Sequence, residues 1–285
     1  MIDLAVAKLP LLAVAVAALW LAESLAPHFA AFTREVRARR LHALRNAALA
    51  LINGLLGIVL LGALIAGAVA LANAHHVGLL RLVEFPAWAE TIVALLLFDC
   101  WMYWWHRINH VVPFFWRFHR VHHSDPRMDV TTALRFHPGE IVLSTAARLL
   151  VVNFIGMELW HLVLYELIAL PIIALHHSNI GLPRRADDAL RWLIVTPWMH
   201  WVHHSRERAE TNSNYASVLS IWDRIFGSYI LRHDPDEIAF GLDEFPDDPR
   251  HQGVAGMLKT PAAGGLFASP GNPTGMSSAP ARSTK

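Results

Sequence analysis

The chain has 285 residues, of which 54% are hydrophobic and 16% charged, and carries a formal net charge of +1. Soluble domains are roughly 25% charged, so this composition, with a mean hydropathy of +0.35, points to a membrane protein. The near-zero net charge removes the basic footprint that nucleic-acid binding needs. A single cysteine, Cys100, excludes an internal disulfide and any cysteine-built zinc or iron–sulfur site.

Leu4–Leu25 is apolar apart from Lys8, Glu23 and Ser24, and Ala47–Ala74 carries no charge. Each exceeds the ~20 residues that cross a bilayer as a helix. Asp3 and the lack of a basic cluster argue against reading the first as a signal peptide. Pro86–Trp105 is a third span, carrying Glu90 and Asp99, and Gly139–Leu175 is long enough for a helical hairpin. The fold class is therefore all-α, with a membrane stem of about four crossings. Arg34, Arg37, Arg39, Arg40 and Arg45 lie between the first two spans and only Arg81 between the next two. Positive charge favours the cytoplasm, so Phe29–Asn46 is expected inside. Later crossings then bring the histidine clusters and the C-terminus to the same side. Residues 1–245 form one integral membrane domain. Residues 246–285, rich in Pro, Gly, Ser and Ala, are expected to be a disordered tail, Ser269–Lys285 above all.

Three histidine clusters carry the chemistry. His106 and His110 form an H-x-x-x-H; His119, His122 and His123 form an H-x-x-H-H, repeated by His200, His203 and His204. On a helix, positions i, i+3 and i+4 share a face, so each cluster can aim its imidazoles at one point. Neutral imidazole is a common metal ligand near pH 7. Eight are too many for one tetrahedral zinc and suit two metals of higher coordination number. Haem needs one or two histidines per iron and leaves most of this set idle. A zinc hydrolase would bring H-E-x-x-H, which is absent.

Other polar residues are candidates around that site. His176 and His177 end the last apolar segment; His177 is the better ninth ligand, and backbone-bonded interfacial histidines are the alternative. Asp99 and Tyr103 fall on one helical stripe with His106 and His110. Asp99 either accepts a ligand's second N–H, fixing its tautomer, or pairs with a base such as Arg107. His137 either lines a substrate entrance or shapes the turn before Pro138. His28, His42, His75, His76, His161, His233 and His251 lack cluster spacing and receive no role.

The three clusters, in this order, resemble the fatty acid hydroxylase / sterol desaturase superfamily of membrane non-haem di-iron enzymes. Their setting does too: Asp99 through Arg107, Trp116 through Ser124, Thr132 through Pro138, His177-Ser178-Asn179, Asn214-Tyr215 and Ser220 through Gly227. The resemblance covers roughly Pro86 to Tyr229. It implies a membrane stem with a cytosolic cap holding two iron ions. It implies O2-dependent hydroxylation or desaturation of a lipid C–H bond, with no catalytic group beyond the metal site. The ligands it implies are His106, His110, His119, His122, His123, His200, His203 and His204, with His177. The partners it implies are a bilayer lipid and a separate electron donor: a cytochrome b5-like protein, a ferredoxin or a reductase. A zinc-dependent membrane hydrolase, or a metal-binding protein without activity, is the rival reading.

Overall fold

The computed structural model describes residues 2–57, 62–245 and 247–263. The chain is helical, and extended pairing among the described residues is confined to isolated bridges such as Pro27 with Ile180. The long helices are α1 (Ile2–Leu25), α2 (Ala30–Arg34, one short turn), α3 (Val36–Leu56), α4 (Gly62–Ala74), α5 (Ala87–Val111), α6 (Pro113–His123), α7 (Pro138–Ile155) and α8 (Leu159–His177). Shorter ones follow: α9 (Arg184–Leu190), α10 (Pro197–His203), α11 (Arg208–Thr211), α12 (Ile221–Ile225), α13 (Pro249–Gln252) and α14 (Val254–Lys259).

The centre of the bundle is α5. Its Ala94 and Phe98 are fully buried in one apolar cluster with Val152 and Ile155 of α7 and Leu162 and Tyr165 of α8. Burying a side chain such as Phe98 contributes about 1.5–3 kcal/mol. α7 leans on α4 and α5, whereas α8 leans on α1, α10 and the 3-10 turn Val130–Leu134. The two helices are joined by a tight turn at Gly156, whose φ of +86° suits glycine. Gly78, in the α4–α5 loop, packs directly on it; a Cβ there would meet the Gly156 Cα at 2.2 Å. Arg81 reaches Glu158 at 3.3 Å across the same contact. One end of the bundle is thus a closed pair of loops, and the histidines gather at the other.

Two described helices, Pro138–Ile155 and Leu159–His177, are long and apolar enough to cross a membrane, and Pro10–Leu25 and Gly62–Ala72 are shorter apolar stretches. The expected span Ala47–Ala74 falls on the end of α3 and on α4, with residues 58–61 outside the described part. The expected span Pro86–Trp105 is the first part of α5, which runs on six residues to Val111. Apolar side chains face outward all round this bundle: Leu21, Leu51, Leu71, Leu150 and Phe154 are each 60–76% exposed. Such a belt is unusual on a soluble surface.

Local chemistry sets the turns that matter. Val112 is extended and Pro113 opens α6. A proline disfavours helix in the residue before it and suits the first helical position. The chain therefore breaks here and folds α6 back on α5. Thr196 caps α10 and Pro197 starts it, the same device at the third cluster.

The ordered body extends past the boundary expected at residue 245. α14 packs on α3 and the 3-10 turn Thr260–Ala262 on α6, burying Met257 completely against Leu49 and Val121. Gln252 accepts from Arg135 at 2.6 Å and donates to the Ser124 carbonyl at 3.0 Å. Few apolar residues mark this stretch, and the one that anchors it is a lone methionine. Ser269–Lys285 lies outside the described residues.

Candidate metal centre

Nine imidazoles converge in two buried groups. His106, His110, His119, His123 and His203 form one; His122, His177, His200 and His204 form the other, with the candidate ligand atoms of each group within 4.8 Å of one another. The groups adjoin: the His123 and His204 rings stack at 4.5 Å, and the His200 and His203 rings lie 5.1 Å apart.

The two H-x-x-H-H motifs divide in the same way. Their outer histidines stay together and the middle one crosses to the other group: His122 leaves His119 and His123, and His203 leaves His200 and His204. At 3.6 residues per turn, positions i+3 and i+4 fall on opposite sides of position i, about 100° apart. With α6 and α10 facing each other, each helix supplies both groups.

Hydrogen bonds fix the tautomers. His106 Nδ1 donates to the Tyr215 carbonyl at 2.8 Å, and His203 Nδ1 to the Ser213 carbonyl at 2.6 Å. His177 Nδ1 donates to the Ile173 carbonyl at 2.7 Å, and His119 Nδ1 faces Glu140 Oε1 at 2.8 Å. A neutral imidazole has one N–H, so the Nε2 atoms of His106, His177 and His203 carry lone pairs. Burial, reinforced by neighbouring histidines, drives His106, His122, His123, His200 and His204 well below the ordinary value of 6.5. Burial likewise holds His203 at about 3, so these rings are neutral at pH 7.

Two lone pairs face each other in the first group. His106 Nε2 lies 3.0 Å from His203 Nε2, with no proton between them, and 3.2 Å from His119 Nε2. In the second group His177 Nε2 lies 3.0 Å from His200 Nε2 and 3.1 Å from His122 Nε2. Both nitrogens of His123 are buried without a hydrogen-bond partner. Buried, unpaired acceptors in mutual contact are costly, and a cation between them removes the cost. Two nitrogens at right angles around an ion, each at about 2.1 Å, are about 3.0 Å apart. The donor set therefore fits two metal ions.

The remaining sequence candidates stand outside the two groups. His176 stacks on the His200 ring at 4.0 Å and is buried behind it. His137 caps α7, accepting from the Gly139 N–H at 2.9 Å, so the turn before Pro138 is its place. Asp99 touches neither a cluster imidazole nor Arg107. It accepts from Tyr165 Oη at 2.7 Å, Trp222 Nε1 at 2.7 Å and the Leu219 N–H at 3.1 Å. Tyr103, fully buried, bonds Ser228 Oγ at 2.6 Å. Asp99 and Tyr103 share a stripe with the histidines, but they point to the 213–228 loop, which they pin to α5.

That loop does the orienting that the sequence offered as one of two roles for Asp99. Asp223 accepts from the Tyr215 and Ala216 N–H groups at 2.7 and 2.9 Å, and Asn214 bonds the backbone of Met199 and Ile230. The Ser213 and Tyr215 carbonyls are thereby held against His203 and His106. Glu140 is a further partner that cluster spacing could not find; its signal was a carboxylate at the start of an otherwise apolar segment. His42, given no role, is buried 2.8 Å from Asp125 and 3.2 Å from Asp129. Burial acts to lower its pKa, but the two carboxylates raise it to about 10.

Residues 91–228 match the profile of the fatty acid hydroxylase family. Human alkylglycerol monooxygenase is 32% identical over 155 residues, 52% of this chain and 32% of that protein. Ornithine lipid hydroxylase OlsE of Rhizobium tropici is 29% identical over 152 residues, 53% of this chain and 44% of that protein. Rat cholesterol 25-hydroxylase is 24% identical over 142 residues, 49% of this chain and 46% of that protein. The chain thus spans less than half the length of these relatives. No solved structure matches it.

Proposed function

We propose that the chain is a multi-pass membrane oxygenase that holds two non-haem iron ions and hydroxylates a lipid C–H bond with O2. The observation that carries this reading is the pair of facing Nε2 lone pairs of His106 and His203, 3.0 Å apart, with His119 Nε2 3.2 Å from His106. His106, His110, His119, His123 and His203 would hold one ion, and His122, His177, His200 and His204 the other. Imidazole sets suit iron, zinc or copper; the match to a hydroxylase family selects iron. When bound, the pair supplies the electrons and oxidising power that cleaving an unactivated C–H bond requires.

One oxygen atom enters the lipid as hydroxyl and the other leaves as water, so the reaction consumes two external electrons and two protons. A cytochrome b5-like protein, ferredoxin or reductase would supply the electrons. The names of all three relatives specify hydroxylation or monooxygenation, which favours hydroxylation over desaturation. Around the histidines, Phe136 stacks flat on His122 at 4.5 Å and Trp116 packs on His123 at 5.5 Å. These rings exclude water from the reacting region.

The histidine end would face the cytoplasm, with the C-terminus, and about four crossings would form the stem. The arginines of α2 and α3 favour that side, and the Gly78–Gly156 contact groups the opposite loops at the far end. Anaerobic purification followed by metal analysis and turnover with membrane lipids, O2 and a reductant tests the proposal. Near two irons per chain and an O2-dependent hydroxylated lipid are expected; zinc alone without lipid oxidation would overturn it.

A further inference from the structure

Beside the histidine end, α1 and α3 run past each other without closing. Each packs against the turn Val130–Leu134, and a groove of about 690 Å³ opens between them. α1 supplies Leu12, Val16 and Trp20, and α3 supplies Arg40, Ala43 and Ala47. These are i, i+4, i+8 and i, i+3, i+7 rows, one face of each helix. Thr131 and Leu134 form the floor. The walls are apolar along their length and end in one charge. The volume falls in the roughly 300–1,000 Å³ range of small-molecule sites.

Arg40 is exposed, and no hydrogen bond or ion pair holds its guanidinium among the described residues. Its neighbour Arg39, by contrast, is buried and paired with Glu23 at 2.7 Å. Arg40 sits opposite Trp20, the end of the groove nearest the proposed cytoplasmic interface, where both residue types anchor to headgroups. The groove floor is two residues from Phe136, which lies flat on His122.

We propose that this groove binds one acyl chain of an acidic phospholipid, with Arg40 on its phosphate. The occupant follows from the charge arrangement: an apolar slot on the stem, opening sideways, with a free guanidinium at headgroup depth. The inference rests on the membrane placement proposed above, not on the oxidation chemistry. A lipid bound here would lie beside the segment that shields the second histidine group.

Native mass spectrometry of the full chain released from vesicles of phosphatidylcholine and phosphatidylglycerol in equal parts reads the bound lipid directly. Wild type is expected to retain phosphatidylglycerol preferentially. Arg40→Glu should lower that preference about fivefold, the ~1 kcal/mol that one basic residue contributes near an anionic lipid surface. Arg40→Lys should keep it. Arg37→Glu changes the same helix's charge outside the groove and should leave it intact. Ala43→Trp and Val16→Trp, filling the slot from either wall, should remove bound lipid of both kinds while metal content stays at the wild-type level. Equal losses in Arg37→Glu and Arg40→Glu would overturn the proposal, because they would mark a diffuse field. Undiminished lipid in both tryptophan variants would overturn it as well. Lipid retention by a chain that oxidises nothing would count against the oxygenase reading alone.

Discussion

Glu140 Oε1 lies 2.8 Å from His119 Nδ1, and it reaches there from the first turn of α7. The carboxylate is 5% exposed, so it is held close to the ring it orients. A carboxylate on the far nitrogen fixes the tautomer of a ligating imidazole and raises its basicity. Replacing Glu140 with Ala should lower iron affinity and lipid oxidation about 10–100-fold, with the fold retained. Glu140→Gln should lose less, because its amide oxygen can still accept the N–H. Anaerobic iron titration with circular dichroism on the same samples checks both; unchanged iron affinity in Glu140→Ala would remove the orienting role.

The stacked pair His123 and His204, one from each group, makes a sharper test of the two-group arrangement. His123→Ala removes a member of the first group and His204→Ala a member of the second, yet their rings stack on each other. Each variant should bind less than the full iron complement and lose lipid oxidation, while His75→Ala, in the far loop, should keep both. His176→Ala removes only a ring packed behind His200, so its iron content should stay near that of the unmodified chain. A full iron complement in His123→Ala or His204→Ala would remove that residue from the ligand set.

How much of this was legible in the chain depends on the range of the interaction. The clusters were readable because ligand spacing is local: i, i+3 and i+4 on one helix. Partition between the groups was not, because it depends on how α6 faces α10. Asp99 shows the limit of a stripe argument. It lies on the histidine face of α5, but the donors it meets come from the Tyr165 and Trp222 side chains and the Leu219 backbone, 66–123 positions away. His42 was passed over because its partners, Asp125 and Asp129, are more than 80 positions distant. Helix placement was more transparent: α1, α5, α7 and α8 fall where the apolar runs fall. Residues 249–263 are less legible, because they are held by one buried methionine and by polar contacts such as that of Gln252 with Arg135, which composition does not reveal.

That anchor can be measured. Met257 is fully buried between Leu49 and Val121, and Arg120 donates to the Thr260 carbonyl at 2.7 Å. Met257→Ala should destabilise the chain by about 2–5 kcal/mol, the range for truncating a buried methionine. Deleting residues 249–285 should cost at least as much, and deleting 269–285 should cost little. Thermal unfolding in detergent separates the three; equal melting temperatures for the two deletions would return the segment 249–263 to a dispensable tail.

The last expectation concerns pH, where two sets of histidines act with opposite sign. The buried neutral rings are depressed, His203 to about 3 from 6.5, so the unfolded chain binds protons that the folded chain refuses. Their stabilisation is present above about 6.5 and is lost as pH falls toward 3. His42 is raised to about 10 by Asp125 and Asp129, so the folded chain holds a proton that the unfolded chain releases. Its stabilisation is complete below about 6.5 and is lost as pH rises through 10. Stability should therefore peak near neutrality. One proton changes the slope by at most about 1.4 kcal/mol per pH unit. His42→Gln should be less stable at pH 7 and should flatten the alkaline limb, leaving the acid limb set by the cluster. Melting temperatures of both proteins between pH 5 and 10 decide the matter. Parallel alkaline limbs would show that His42 does not carry the proton.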